Sequence, residues 1–155
     1  MTTTTTASKI PTRSSTHREI EPARLARLGL EVEELAEGGP LTPDRVLALA
    51  AEQGKEASQY YAAAALATEV ELPTAPITAV FCVGTCQGWG ALACVDRAAA
   101  EWEKQPGRFA IGVKSCLDRC AEAPVCELRT PHGTAILDQT TPAKVAAALA
   151  EVLAP

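Results

Sequence analysis

The sequence predicts an α/β protein, with a small mixed-sheet domain in its C-terminal half, a helical region before it and an unfolded tail in front. Three observations carry this. Apolar residues recur at spacings of three and four as far as Ala67, whereas beyond Pro73-Thr74-Ala75-Pro76 short alternating runs take over. Strand and helix patterns then follow in the order β, α, β, β, β, α. All six cysteines fall between Cys82 and Cys126, inside this second region.

Residues 1–20 are rich in Thr and Ser and nearly lack large apolar side chains, so they cannot repay their own ordering entropy. They are read as a disordered tail. Lys9, Arg13 and Arg18 are basic, but the amphipathic face of a targeting presequence is missing. The helical region, 21–72, opens with Leu25, Leu28, Val32 and Leu35 on one stripe and stops at Gly38-Gly39-Pro40. Thr42 as N-cap and Pro43 in the first turn start a second helix, with Val46, Leu47, Leu49 and Ala50 inward and Gly54 at its end. Ser58 is expected to cap a third helix, through Tyr61, Ala64, Ala65 and Ala67. Tyr60 and Tyr61 are read as packing residues. Such helices form a compact bundle or an arm that buries its apolar face against a partner.

After the linker, the domain 77–155 begins with a strand, Ile77 to Cys82. A helix is expected over Gly88 to Gln105, with Leu92, Val95, Ala99 and Trp102 on one face, and a second strand over Phe109 to Lys114. Val125 to Arg129 and Thr134 to Asp138 flank Thr130-Pro131-His132-Gly133, which is hairpin turn chemistry. Thr141-Pro142 starts a closing helix with Val145, Leu149, Val152 and Leu153 inward. A strand, crossover helix and second strand make a parallel pair, and the hairpin adds antiparallel strands. The result is a thioredoxin-like sandwich.

Composition removes several function classes. Fourteen Lys plus Arg against 19 Asp plus Glu give a net charge of −5, which is poor for phosphate contacts, so no nucleic-acid partner is expected. No apolar run reaches the length of a membrane span and the N-terminus lacks a secretory apolar core; a soluble, cytoplasmic protein without direct membrane insertion is expected. Clustered cysteines favour a local metal site over a disulfide framework spread along the chain.

Cys82-Val83-Gly84-Thr85-Cys86 and Cys116-Leu117-Asp118-Arg119-Cys120 are two Cys-x3-Cys loops, each leaving a predicted strand. Neighbouring parallel strands bring such loops together at one end of the sheet. Four thiolates in two pairs match a [2Fe–2S] cluster, in which each iron takes two protein ligands. The predicted ligands are therefore Cys82, Cys86, Cys116 and Cys120. Gly84 and Gly112 are read as positions where backbone approaches closely or turns, and Pro124 as stiffening the exit of the second loop. Cys94, inside a predicted helix, and Cys126, on a strand, are read as small buried hydrophobes.

These residues carry a resemblance. Cys82 to Ala91, and Ser115-Cys116-Leu117-Asp118-Arg119-Cys120-Ala121-Glu122-Ala123-Pro124-Val125, resemble the cluster loops of the thioredoxin-like [2Fe–2S] ferredoxins. The branch they match best is the 24-kDa or E subunit of NADH dehydrogenase, shared with NAD-linked hydrogenases and formate dehydrogenases. Thr141-Pro142 with Val145 and Leu149 is similar to that family's closing Thr-Pro-Glu helix. Leu41-Thr42-Pro43 and the helices to Glu69 are similar to its N-terminal helical region, without the aromatic pair expected near that region's end. The branch usually places four residues between its first two cysteines, where this chain has three. A related stand-alone branch has a much longer gap, which Cys94 could mimic, although Gly88 and Gly90-Ala91 follow Cys86 as the family's small residues follow its second ligand.

The resemblance implies a one-electron relay within a multisubunit NAD(P)-linked oxidoreductase. FMN and NAD(P) would sit on a partner flavin- and NAD-binding subunit, beside further iron–sulfur subunits. This chain carries no Gly-x-Gly-x-x-Gly fingerprint and no phosphate loop, and no catalytic residue of its own is expected. The alternative is a stand-alone [2Fe–2S] ferredoxin. A structural zinc module is a further reading, because four thiolates suit zinc also, though often through Cys-x2-Cys knuckles. Dithiol catalysis lacks its Cys-x-x-Cys at a helix start. His17 and His132, in tail and turn, are poor ligand candidates. Asp118 and Arg119 are read as solvent-facing.

Overall fold

The computed structural model describes residues 20–67 and 70–154. The expected tail, with His17, lies outside these residues except for Ile20. Among the described residues there are five α-helices and one four-stranded mixed sheet.

Helix α1, Pro22–Ala36, buries Leu28 and Val32 with Leu25 and Leu35 beside them, as the stripe predicts. Its last carbonyls, Glu34, Leu35 and Ala36, accept from the N–H groups of Glu37, Gly38 and Gly39, and Arg45 of the next helix adds a side-chain donor at this end. That guanidinium donates to the Leu35 carbonyl and to Gly39 O at 2.8 Å and Pro40 O at 2.6 Å. Helix α2, Pro43–Gln53, starts after Thr42 and ends on Gly54, whose φ of 67° is the left-handed conformation that glycine adopts freely.

Helix α3 spans Ala57–Ala64 and is capped differently from the expectation. Glu56 holds the N-cap position, and Ser58 lies inside the first turn. The cap comes from elsewhere in the chain. Asp96 accepts the Ser58 N–H at 2.9 Å and its hydroxyl at 2.7 Å, doing the work that a local side chain usually does. Burial pushes the Asp96 carboxyl up to about 6, against the pull of Ser58 and with the help of Glu56. Tyr60 and Tyr61 are fully buried, so the packing reading of both holds. The Tyr60 hydroxyl donates to Glu31 Oε1 at 3.1 Å, and Lys55 Nζ stands 6.0 Å from its ring centre.

Strands β1, Thr78–Cys82, and β2, Ala110–Lys114, pair in parallel, with Cys82 opposite Lys114. Strands β3, Cys126–Thr130, and β4, Gly133–Leu137, form the expected hairpin, and β3 adds antiparallel to β1. The sheet order is β2-β1-β3-β4. The crossover between β1 and β2 contains helix α4, Ala91–Lys104. It starts later than the expected Gly88, because Thr85–Trp89 forms a separate 3-10 turn and Gly90, at φ 97°, breaks the two apart. Helix α5, Pro142–Leu153, is capped by Thr141, whose hydroxyl accepts the Lys144 N–H at 3.1 Å, and buries Val145, Leu149 and Leu153.

One continuous core joins the sheet to the helices. Alternate strand residues Ala79, Phe81, Ile111, Val113, Cys126 and Leu128 belong to it together with Val95 and Ala98 of α4, Leu149 of α5 and Tyr60 and Tyr61 of α3. Aliphatic and alanine side chains dominate, as the low aromatic content requires. Gly112 is part of the strand rather than of a loop. A Cβ there would meet Val80 Cγ2 at 3.4 Å, an ordinary contact, so the expected need for close approach does not apply at this position. No helix among the described residues is long and apolar enough to cross a membrane.

Candidate metal centre

The parallel pairing decides where the cysteine loops lie. Cys82 is the last residue of β1, and Cys116 follows the end of β2 by two residues, so both loops leave the same end of the sheet side by side. They interlock there. Val83 N–H donates to Lys114 O at 2.9 Å, and Cys82 Sγ lies 3.7 Å from Ser115 O. A Cβ on Gly84 would fall 2.1 Å from the Ser115 carbonyl oxygen, so only glycine lets the two backbones pass so closely.

The second loop is also tied from its far side. Gln139 N–H donates to Glu122 O at 2.7 Å and Thr140 N–H to Pro124 O at 2.8 Å, while Cys82 N–H donates to Val125 O at 3.2 Å. The loop is thus anchored both to β1 and to the connection before α5. The Ala123-Pro124 peptide is cis.

Cys82 and Cys86 are buried, at 3% and 1% exposure, in a small cluster with Ala91 and Ala123 that is separate from the main core. Trp89 and Leu117 pack against it. The Cys82 thiol is brought down from 9.0 to about 6, chiefly by a hydrogen bond with Cys86, against the opposing effect of burial. Backbone contacts from Gly84, Cys86 and Leu117 add to the lowering, the last of these reaching across from the second loop. These contacts favour the thiolate of Cys82, the form that binds metal.

Cys116 is exposed. The Asp118 N–H reaches its sulfur at 3.2 Å because Asp118 sits in the left-handed region at φ 59°, a conformation that Asp tolerates better than most residues. Cys120 opens a 3-10 turn, Cys120–Glu122, and its side chain lies outside the described residues. Arg119 and Glu122 form an exposed ion pair at 3.2 Å, in keeping with the surface reading of Arg119. His132 is exposed in the hairpin turn.

Cys94 and Cys126 belong to the main core and not to the cluster around Cys82. Burial pushes both thiols up to about 12, which opposes the thiolate form. Cys94 Sγ lies 3.6 Å from Thr140 O. Among the described residues no group of three or more His, Cys, Asp and Glu side chains is gathered as for a single metal ion.

The donor set suits an iron–sulfur cluster: soft sulfur ligands, a pair held on one loop, and amide groups directed at a buried sulfur. Two contacts of this site were outside the sequence reading, although Asp118 is exposed as expected. The left-handed Asp118 is marked only by the known tolerance of Asp for that conformation. Gln87, which follows Cys86, is 7% exposed and bonded at both ends of its amide. Its signal is a polar side chain in an otherwise small and apolar stretch. No protein-family model matches the chain, and no curated protein matches it.

Proposed function

We propose that this chain is a one-electron carrier that holds a [2Fe–2S] cluster between its two cysteine loops, on a thioredoxin-like fold. Cys82 and Cys86 would hold one iron, Cys116 and Cys120 the other. The observation that carries the reading is the parallel β1–β2 pair, which delivers both loops to one end of the sheet. The sheet order, with a helix crossing between its two parallel strands, supports the thioredoxin-like assignment.

When bound, the cluster supplies a one-electron couple whose potential depends on hydrogen bonds to sulfur and on solvent access. The chain's own groups set both. Amides of the two loops are aimed at Cys82 and Cys116, Trp89 and Leu117 shield the first loop, and the second loop opens to solvent.

In this reading the protein serves as a subunit of a larger NAD(P)-linked oxidoreductase, with FMN and NAD(P) on a partner. The alternative within the same chemistry is a stand-alone ferredoxin. Helices α1 to α3 favour the subunit, since a simple shuttle has no need of them. Isolation from the native cell with a flavoprotein attached is the expected result; a monomer with no companion would favour the shuttle.

The ligand assignment is tested by counting iron in Cys86→Ala and Cys94→Ala. Loss of the cluster is expected only for Cys86→Ala, because Cys94 sits in the core. Full retention without Cys86 would overturn the assignment.

A further inference from the structure

The first cysteine loop is braced by a side chain that the ligand reading leaves unused. Gln87 Nε2 donates to Val83 O at 2.6 Å, closing the loop across its own base, from the residue after Cys86 back to the residue after Cys82. Its Oε1 accepts the Ile20 N–H at 2.9 Å, from a residue 67 positions earlier in the chain. The planar amide is both donor and acceptor, so one head group satisfies a strand-end carbonyl and a backbone N–H before α1. Glutamate lacks the donor, lysine the acceptor and methionine both.

The setting makes these bonds count. Gln87 is 7% exposed, and losing its head group leaves the Val83 carbonyl and the Ile20 N–H without these partners. Beside it lies a cavity of about 360 Å³ whose walls include Leu25, Ala62, Gly84 and Ser115, so the brace stands where α1, α3 and both cysteine loops meet.

We propose that Gln87 is a positioning residue for the first cysteine pair: it fixes the Val83–Cys86 turn in ligand geometry and ties that geometry to the chain at Ile20. The proposal rests on the [2Fe–2S] reading. It adds that the entry to α1 and the cluster loop are one mechanical unit, so that displacing the chain at Ile20 disturbs the cluster.

The test uses the full-length protein with Gln87→Met, Gln87→Glu and Ile20→Pro, and Ile20→Ala as control. Met fills the space without a polar head, Glu keeps the acceptor for Ile20, and Pro removes the single N–H that Gln87 receives. Hydrogen exchange of the metal-free protein reads the brace itself, and cluster loss to an iron chelator together with the reduced paramagnetic line shape reads the positioning. In Gln87→Met the Ile20 amide should exchange about tenfold faster and the cluster should be lost about tenfold faster, with an altered line shape. Gln87→Glu should keep slow exchange at Ile20 yet lose its cluster quickly, and Ile20→Pro should also lose its cluster quickly where Ile20→Ala does not. Gln87→Met with wild-type chelator kinetics and line shape would overturn the proposal, whatever its Ile20 exchange. A wild-type protein that takes up no cluster overturns the electron-carrier reading as well, and the wild-type control separates that failure from the first.

Discussion

The two cysteine loops leave neighbouring strands in the same direction and both are tied down by hydrogen bonds, yet the cysteines of the first are buried while Cys116 of the second is exposed. Cys82 and Cys86 lie under Trp89 and Leu117, with the turn between them closed by Gln87. Cys116 stands in solvent, its sulfur met by the amide of a left-handed Asp118. Equal Cys-x3-Cys spacing therefore does not mean equal surroundings. In the proposed carrier this division would have a use: the buried side would hold its ligands rigid, and the open side would let an electron reach a docked partner over a short distance.

The largest expected effect comes from exchanging the same substitution between the loops. Cys82→Ser should abolish the cluster, because a buried loop cannot shift to suit the shorter oxygen ligand. Cys116→Ser, in the open loop, should retain part of it with an altered spectrum. Equal losses, measured as iron per chain after reconstitution, would break the comparison.

Next in size is the contact where the loops cross. Gly84→Ala places a Cβ 2.1 Å from the Ser115 carbonyl oxygen, and backbone must move to admit it. A loss of about 1–3 kcal/mol in urea unfolding is expected. Gly112→Ala meets only Val80 at an ordinary 3.4 Å and should be close to neutral.

An effect of similar size is expected with pH in the metal-free protein. The folded state holds the Cys82 thiol down to about 6 from 9.0, so its contribution to stability is complete above the unfolded value and is lost as pH falls through about 6. The urea midpoint should therefore rise between pH 6 and 8.5 in the wild type, and this rise should shrink in Cys82→Ala. Above that window the buried Cys94 and Cys126, raised to about 12, act in the opposite direction.

How far the sequence could be read follows from which contacts are local. Thr42-Pro43 and Gly54, Thr141-Pro142 and the turn at Pro131-His132 act within a few residues, and the elements they bound lie where the pattern puts them. The parallel pairing of β1 and β2 was legible from the intervening helix. The cap of α3 was not, because Asp96 supplies it from 38 residues further along the chain. The apolar spacing runs the helix through Gly90, since spacing alone does not reveal its left-handed break between the 3-10 turn and α4. At the site, the cysteine pairs were visible as pairs. Which pair is buried depends on Trp89, Leu117 and Gln87 meeting residues distant in sequence, and no local pattern reports that.

The most direct test of the central claim is anaerobic reconstitution followed by iron and acid-labile sulfide analysis and electron paramagnetic resonance of the reduced protein. Two irons and two sulfides per chain, with a spin one-half signal on one-electron reduction, are expected of a [2Fe–2S] carrier. A colourless protein with stoichiometric zinc, no labile sulfide and no paramagnetic iron would contradict it.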